Sequence, residues 1–198
     1  MCAAGVERVG ASAGGAGRVT QKASIAQMKL KFARHLLSIA LLPFTVAVLV
    51  PLWIAQSNNI SLEIGTTMPQ VFAQVAGVLL LAVGLALFTA SLMKFATEGE
   101  GTLAPWDPPR RLVVRGPYRY VRNPMISGVL FVLFGEALIL LSRPHFTWAL
   151  IFLAMNFIYI PLVEETGLRQ RFGDSYVEYC RHVPRLIPRF RPWEPDDR

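Results

Sequence analysis

The sequence has little charge and few side chains that form disulfides. Charged residues make up only 17 % of its 198 residues, whereas hydrophobic residues make up 53 %. A soluble domain usually carries about 25 % charged residues, so this chain has too little polar surface to cover a soluble globule. Its two cysteines, Cys2 and Cys180, stand near opposite ends of the chain, which indicates no disulfide framework.

Histidine is also scarce, and the positive charge is dispersed. His35, His145 and His182 share no metal-ligand spacing, so we expect no metal site. The formal net charge is +7, which raises the question of nucleic acid as a partner. The lysines and arginines lie beside apolar blocks, an arrangement that fits anionic lipid headgroups better. We therefore expect the lipid bilayer, and no nucleic acid, as a partner.

Long apolar runs dominate what is present. About 20 apolar residues in a helix cross the hydrocarbon core of a bilayer. Pro43 and Pro51 should kink the first run, which neighbouring helices can tolerate. The pattern predicts an all-α integral membrane bundle of about four transmembrane helices plus a cytoplasmic C-terminal helix. The predicted spans are about 36–55, 71–93, 125–141 and 146–163.

The segments outside these spans differ in character. Residues 1–33 are rich in Ala, Gly and Ser with scattered basic residues, and they predict a disordered basic N-terminal tail. Residues 34–190 form the membrane domain, and residues 191–198 a C-terminal tail. From Glu164 to about His182, apolar residues recur at helical spacing, which predicts the C-terminal helix.

The distribution of Lys and Arg predicts the orientation of the chain. The segment before the first span carries six, the second loop six and the C-terminal segment seven, while the first loop has none and the third loop one. Cytoplasmic loops of membrane proteins are enriched in Lys and Arg. Both termini and the second loop are therefore predicted to be cytoplasmic.

The third and fourth spans are joined by a very short turn, so their cytoplasmic ends must be neighbours. This brings residues 115–124, rich in Arg and Tyr, close to Glu164 and Glu165. Arginine offers forked donors to a carboxylate or phosphate, and tyrosine faces a cation or stacks on a base. The sequence alone leaves an alternative open: the arginines only set topology, and Glu165 pairs with Arg169 four residues on.

Glu136 is an unusual residue because it lies inside the third apolar span. A carboxyl group there should face the interior of the bundle. Two interpretations stay open: a substrate-channel or proton-handling role for Glu136, with Asn156 in the same channel, or a structural hydrogen bond from Glu136 to a neighbour such as Asn156.

Several ordered blocks carry a family resemblance that covers roughly residues 70 to 190. These blocks resemble the isoprenylcysteine carboxyl methyltransferase and phospholipid methyltransferase superfamily. The chain is similar to bacterial-type members through Asp107-Pro108-Pro109, which implies a bacterial inner membrane. The blocks are Gly116–Gly128, Glu164-Glu165, and Arg171 to Pro188 with its Val183-Pro184-Arg185 sequence.

The resemblance implies a membrane methyltransferase that uses S-adenosylmethionine. It implies that Arg122 and Glu165 are the catalytic residues. Asn123 stands where His is common in the family, and Ile126 stands where Tyr is usual. The residues implied to bind the cofactor are Gly116, Tyr118, Tyr120, Arg122, Asn123, Pro124, Gly128, Glu164 and Glu165.

The acceptor stays open: a lipid-like or amphipathic molecule with a carboxylate, an amine or a thiol would suit. Two other functions also remain. Some membrane sterol reductases that use NADPH resemble the same helical core, and a non-catalytic membrane protein can retain the fold.

Overall fold

The computed structural model describes residues 42–98, 112 and 114–194. The predicted tail (1–33), the first residues of the first predicted span and Asp107-Pro108-Pro109 lie outside the described residues. The described residues form helices and no strand, which confirms the predicted all-helical class. The helices are α1 (Leu42–Ser57), α2 (Met68–Glu98), α3 (Pro124–Ile139), α4 (Arg143–Tyr159) and α5 (Glu165–His182).

Two helices are long and apolar enough to cross a membrane. One is Met68–Lys94, with 27 residues, and the other is the continuous helix Arg143–His182, with 40 residues. At 1.5 Å per residue, 27 residues extend about 40 Å, more than the ~30 Å of the hydrocarbon core. Helices α1 and α3 are apolar but shorter. Two of the four predicted spans thus have the required length, and a four-span topology stays a prediction.

Helices α2 and α3 pack backbone to backbone at two pairs of glycines. A Cβ on Gly84 would lie 2.7 Å from the carbonyl oxygen of Gly128, and one on Gly128 would lie 2.9 Å from that of Gly84. Gly77 and Gly135 face each other in the same way, with both distances at 2.8 Å. Side chains cannot fit at such separations, so glycine at these positions sets the distance between the two helices.

The first helix is irregular where proline interrupts its hydrogen bonding. Residues Thr45–Leu49 form a π turn directly before Pro51. Because Pro51 has no N–H, it cannot donate to the carbonyl of Val46, five residues earlier. The indole Nε1 of Trp148 in α4 donates to that carbonyl at 3.1 Å. A neighbouring helix therefore satisfies a carbonyl that Pro51 leaves free, and the kink predicted for this segment stays a prediction.

A tight turn joins α3 and α4, as predicted. Ser142 is the N-cap of α4, where its hydroxyl accepts from the backbone N–H of His145. The ring of His145 lies 2.7 Å from the Ser142 Oγ through Nδ1 and 3.1 Å from the carbonyl of Pro51 through Nε2. The hairpin is thus capped at its end and attached to α1.

Helix α5 continues α4 through a π turn, Ile160–Glu164, and confirms the predicted C-terminal helix. It breaks at Gly173, whose φ of 53° and ψ of −131° are not helical. A positive φ is readily adopted only by glycine. Beyond this break, Tyr176, Tyr179 and Val183 are buried in a second core, which returns the end of the chain toward the start of α3.

Candidate functional site

Three segments that are distant in sequence meet at one end of the hairpin. They are the loop 116–123, the junction of α4 and α5 at Glu164 and Glu165, and residues 183–193, which we call the tail strap. The prediction that the ends of these helices are neighbours is confirmed, because Arg122 Nη1 lies 2.9 Å from Glu165 Oε1.

Glu165 lies at the centre of this arrangement. The residue is 3 % exposed, and Arg185 donates to both its oxygens, from Nε to Oε1 at 2.8 Å and from Nη2 to Oε2 at 3.1 Å. The predicted neighbour Arg169 lies farther away, at 4.0 Å. A buried charge is costly unless it is well paired. The positive charges of Arg122 and Arg185 offset the cost of burying this negative carboxylate. We call Arg122, Glu165 and Arg185 the ion cluster.

The guanidinium of Arg122 is largely committed to the protein. Its Nη1 also lies 2.7 Å from the sulfur of Cys180. Its Nε is buried and has no hydrogen-bond partner among the described residues. An unpaired buried donor is unusual, so this Nε is a candidate to bind a ligand.

The tail strap fixes the backbone of the loop. Arg122 N–H donates to the carbonyl of Pro184 at 2.8 Å, and Asn123 N–H donates to that of Arg185 at 3.2 Å. In the other direction, Arg189 N–H donates to the carbonyl of Tyr120 at 3.0 Å. The position of Arg122 therefore depends on the strap as well as on its own ion pair.

Arg185 and the strap were missed as site elements by the sequence analysis. The available signal was the Val183-Pro184-Arg185 block, which contributed to the resemblance without a role for Arg185. The strap brings its guanidinium to Glu165, twenty residues earlier.

Glu164 differs from its neighbour Glu165. It is half-buried, and its carboxyl group makes no hydrogen bond or ion pair with the described part of the chain. Burial, followed by the negative charge of Glu165, raises the pKa of Glu164 to about 7. Both carboxylates follow Val163, where the apolar part of the long helix ends, so they lie outside the predicted span. Glu164 is thus the unpaired carboxyl group of the site.

Tyrosines surround the two carboxylates. The hydroxyl of Tyr179 donates to the carbonyl of Tyr118 at 2.6 Å, and Tyr176 and Tyr179 are buried. Burial, and secondarily the charge of Glu164, raises the pKa of Tyr118, which stays a neutral phenol. Tyr118 and Tyr120 are both half-buried in the loop, and their predicted contact with a cofactor stays a prediction.

The glycines and the proline predicted to bind cofactor have packing roles in this structure. Gly116 has a φ of 55° and faces the side chain of Lys94. Pro124 is buried as the first residue of α3. Gly128 faces Gly84 of α2, where a Cβ would not fit.

Glu136 and Asn156 do not bond to each other. The side-chain amide of Asn156 donates to the carbonyl of Phe152 at 2.8 Å, within its own helix. Oε2 of Glu136 is buried and has no hydrogen-bond partner among the described residues. Asn156 is thus not a hydrogen-bond partner of Glu136 Oε2 among the described residues, and both the structural and the substrate-channel interpretations of Glu136 stay predictions.

The family comparison covers the helices that carry this site. The model of the family described as phospholipid methyltransferase matches residues 72–175, which is just over half of the chain. The chain belongs to the phospholipid methyltransferase family. The match includes the loop, Glu164 and Glu165, and it ends before Arg185 and the strap. A search of curated proteins found no match.

Family membership confirms the superfamily that the sequence blocks indicated. A phospholipid methyltransferase family domain implies a methyltransferase associated with a membrane, in agreement with the two long apolar helices. It favours methyl transfer over the reductase alternative.

Proposed function

We propose that this protein is an integral membrane methyltransferase that uses S-adenosylmethionine and acts on a lipid-like or amphipathic acceptor. The observation that carries the proposal is that two polar groups within the family domain have no hydrogen-bond partner among the described residues: the buried Nε of Arg122 and the carboxyl group of Glu164. They lie on the loop and the helix junction that the ion cluster joins.

These two groups fit a zwitterionic ligand. The Nε–H of Arg122 can donate to a carboxylate, and an ionised Glu164 can accept from an ammonium group or from ribose hydroxyls. A positive charge near Glu164 favours its ionised form, since it offsets the burial that raises its pKa. Glu165, which is paired with two arginines, is suited to holding Arg122 in place.

S-adenosylmethionine supplies an electrophilic methyl group on a sulfonium sulfur. The chain has to align this methyl with the acceptor and exclude water while the positive charge disperses. The tyrosines beside the cluster, including the buried Tyr176, form the side of the site that excludes water. A carboxylate or thiolate acceptor needs no base, whereas an ammonium acceptor must first lose a proton.

The acceptor is expected to reach the site from the membrane. The site begins where the apolar part of Arg143–His182 ends, so an acceptor with an apolar chain can keep that chain in lipid while its polar end approaches Glu164. We also propose that both termini are cytoplasmic in a bacterial inner membrane, with the site on the cytoplasmic face.

Equilibrium binding of S-adenosylmethionine to detergent-purified protein tests the proposal, with NADPH measured in parallel. Glu164→Gln removes the free carboxylate and should weaken S-adenosylmethionine binding by at least about tenfold, in line with the loss of a charged hydrogen bond. Glu178→Gln is the matched control, because Glu178 is exposed on α5 and should leave binding unchanged. Absence of binding to folded protein would contradict the proposal, and binding of NADPH instead would favour the reductase.

A further inference from the structure

The tail strap carries two apolar side chains that are largely exposed. Phe190 is 103 % exposed and Ile187 is 79 % exposed. Neither belongs to an apolar helix, so exposure to lipid tails along a span does not account for them. Trp193, in contrast, stacks on the ring of His182 at 5.1 Å.

Contacts of the strap fix its depth relative to the helices. The carbonyl of Leu186 accepts from the hydroxyl of Ser127 at 2.7 Å, one turn inside α3. Arg185 is bound to Glu165, two residues after the apolar part of the long helix ends at Val163. The strap therefore lies at the level where the apolar helices leave the hydrocarbon core.

The charge of this segment complements an anionic surface. Residues 185–193 contain Arg185, Arg189 and Arg191 and no acidic residue. The next residue, Glu194, pairs with Arg119, and Arg191 is exposed. Basic and apolar side chains side by side, at interfacial depth, are typical of segments that lie in the headgroup region.

We propose that the tail strap docks on the anionic lipid surface of the bilayer that holds the helices. Ile187 and Phe190 lie among the headgroups and upper acyl chains, and Arg191 faces lipid phosphates. This surface is separate from the proposed cofactor site and does not require a cofactor. Because Pro184 and Arg185 accept from the N–H groups of Arg122 and Asn123, docking of the strap also holds the loop in place.

Photo-crosslinking of the full chain in lipid nanodiscs tests the proposal. Benzoylphenylalanine replaces Phe190 in one variant and Ile187 in a second, and adducts with phospholipid are quantified by mass spectrometry. The control replaces Asp174, an exposed residue directly after the break in α5 and outside the tail strap. Phospholipid adducts at positions 187 and 190 should exceed those at position 174 by about tenfold or more, since only the strap reaches the interface.

A second part of the experiment distinguishes binding to anionic lipid from binding to any apolar surface. Nanodiscs mix phosphatidylglycerol with phosphatidylcholine, and the ratio of the two adducts is measured with and without Arg191→Gln. One surface charge is worth about 1 kcal/mol, so this substitution should lower the preference for phosphatidylglycerol about fivefold.

Adduct yields at 187 and 190 no higher than at 174 would overturn the proposal. So would strap adducts that show no preference for phosphatidylglycerol. Neither result depends on binding of S-adenosylmethionine.

Discussion

Arg185 binds Glu165 through two parallel hydrogen bonds, of 2.8 and 3.1 Å, although the two residues lie twenty positions apart. This contact attaches the end of the chain to the junction of α4 and α5. Together with the ion pair from Arg122, it joins three segments into one site. The cluster is therefore a structural support for the loop, and its removal should affect the folded state before it affects chemistry.

Arg185→Ala should destabilise the protein by about 3 kcal/mol, because it leaves a buried carboxylate with only one close partner. The measurement is thermal unfolding in detergent, where the melting temperature should fall by several degrees. Arg171→Ala is the control, since Arg171 is exposed on α5, the helix that carries Glu165. Equal melting temperatures for the two variants would contradict a supporting role for Arg185.

The sequence could predict the local part of this site but not its long-range part. The short turn before His145 implied that the ends of α3 and α4 are neighbours, and the 2.9 Å contact of Arg122 with Glu165 confirms it. Spans predicted at 71–93 and 125–141 correspond to Met68–Glu98 and Pro124–Ile139. These features follow from apolar periodicity and chain connectivity, which are local properties.

The return of the tail involves a break in the helical backbone that the sequence pattern does not reveal. Gly173 lies within a helical pattern, but its φ of 53° and ψ of −131° change the direction of the residues that follow. Sequence spacing left open a pairing of Glu165 with Arg169, four residues along a helix. In the structure Arg185 is the close partner of Glu165, with its Nε 2.8 Å from Oε1, while Nη2 of Arg169 lies 4.0 Å from Oε2. A buried carboxylate requires a closer partner than the exposed Arg169.

The pH dependence of stability should report on Glu165. Burial, the largest influence, would raise its pKa, but the hydrogen bond from Arg185 and the charges of Arg122, Arg185 and Arg169 hold it below its ordinary value. A lowered pKa stabilises the folded state above the unfolded value of about 4.3. This stabilisation is lost as pH falls from there through the folded pKa.

Denaturation at a series of pH values measures this effect. Glu165→Gln should be less stable than the unmodified protein at pH 7, and the difference should shrink as pH falls from about 4.3 through the lowered pKa of the folded state, where the native carboxylate becomes protonated. Glu178→Gln should show the same small difference at every pH. A difference between Glu165→Gln and the unmodified protein that stays constant into acid would show that the carboxylate charge contributes nothing.

Gly128→Ala should distinguish helix packing from cofactor binding at that position. The added Cβ would lie 2.9 Å from both the carbonyl oxygen of Gly84 and the backbone nitrogen of Phe88, so α2 and α3 must separate. Such overpacking costs about 1–3 kcal/mol. The matched control is Gly167→Ala, where a Cβ meets nothing within 4 Å and the change should be neutral or stabilising.

Thermal unfolding of both alanine variants checks this prediction. A lower melting temperature for Gly128→Ala alone is expected from the close approach of the two helices. If Gly128→Ala keeps the melting temperature of the unmodified protein and only weakens S-adenosylmethionine binding, the packing role is wrong and the cofactor role is favoured.

Glu164→Gln should increase stability at high pH although it removes the proposed ligand-binding carboxylate. Because the pKa of Glu164 is raised to about 7 in the folded state, ionising it is unfavourable. The stability that its protonated form contributes is present below about pH 4.3 and is lost as pH rises through about 7. Gln stays neutral at every pH, so the variant should be more stable than the unmodified protein by about 1–3 kcal/mol at pH 8 and equal to it near pH 4.

A group that destabilises the folded protein is retained where function requires it, so a gain of stability combined with a loss of S-adenosylmethionine binding would identify Glu164 as a binding residue. Unchanged stability at pH 8 would show that this carboxyl group is not strained by burial.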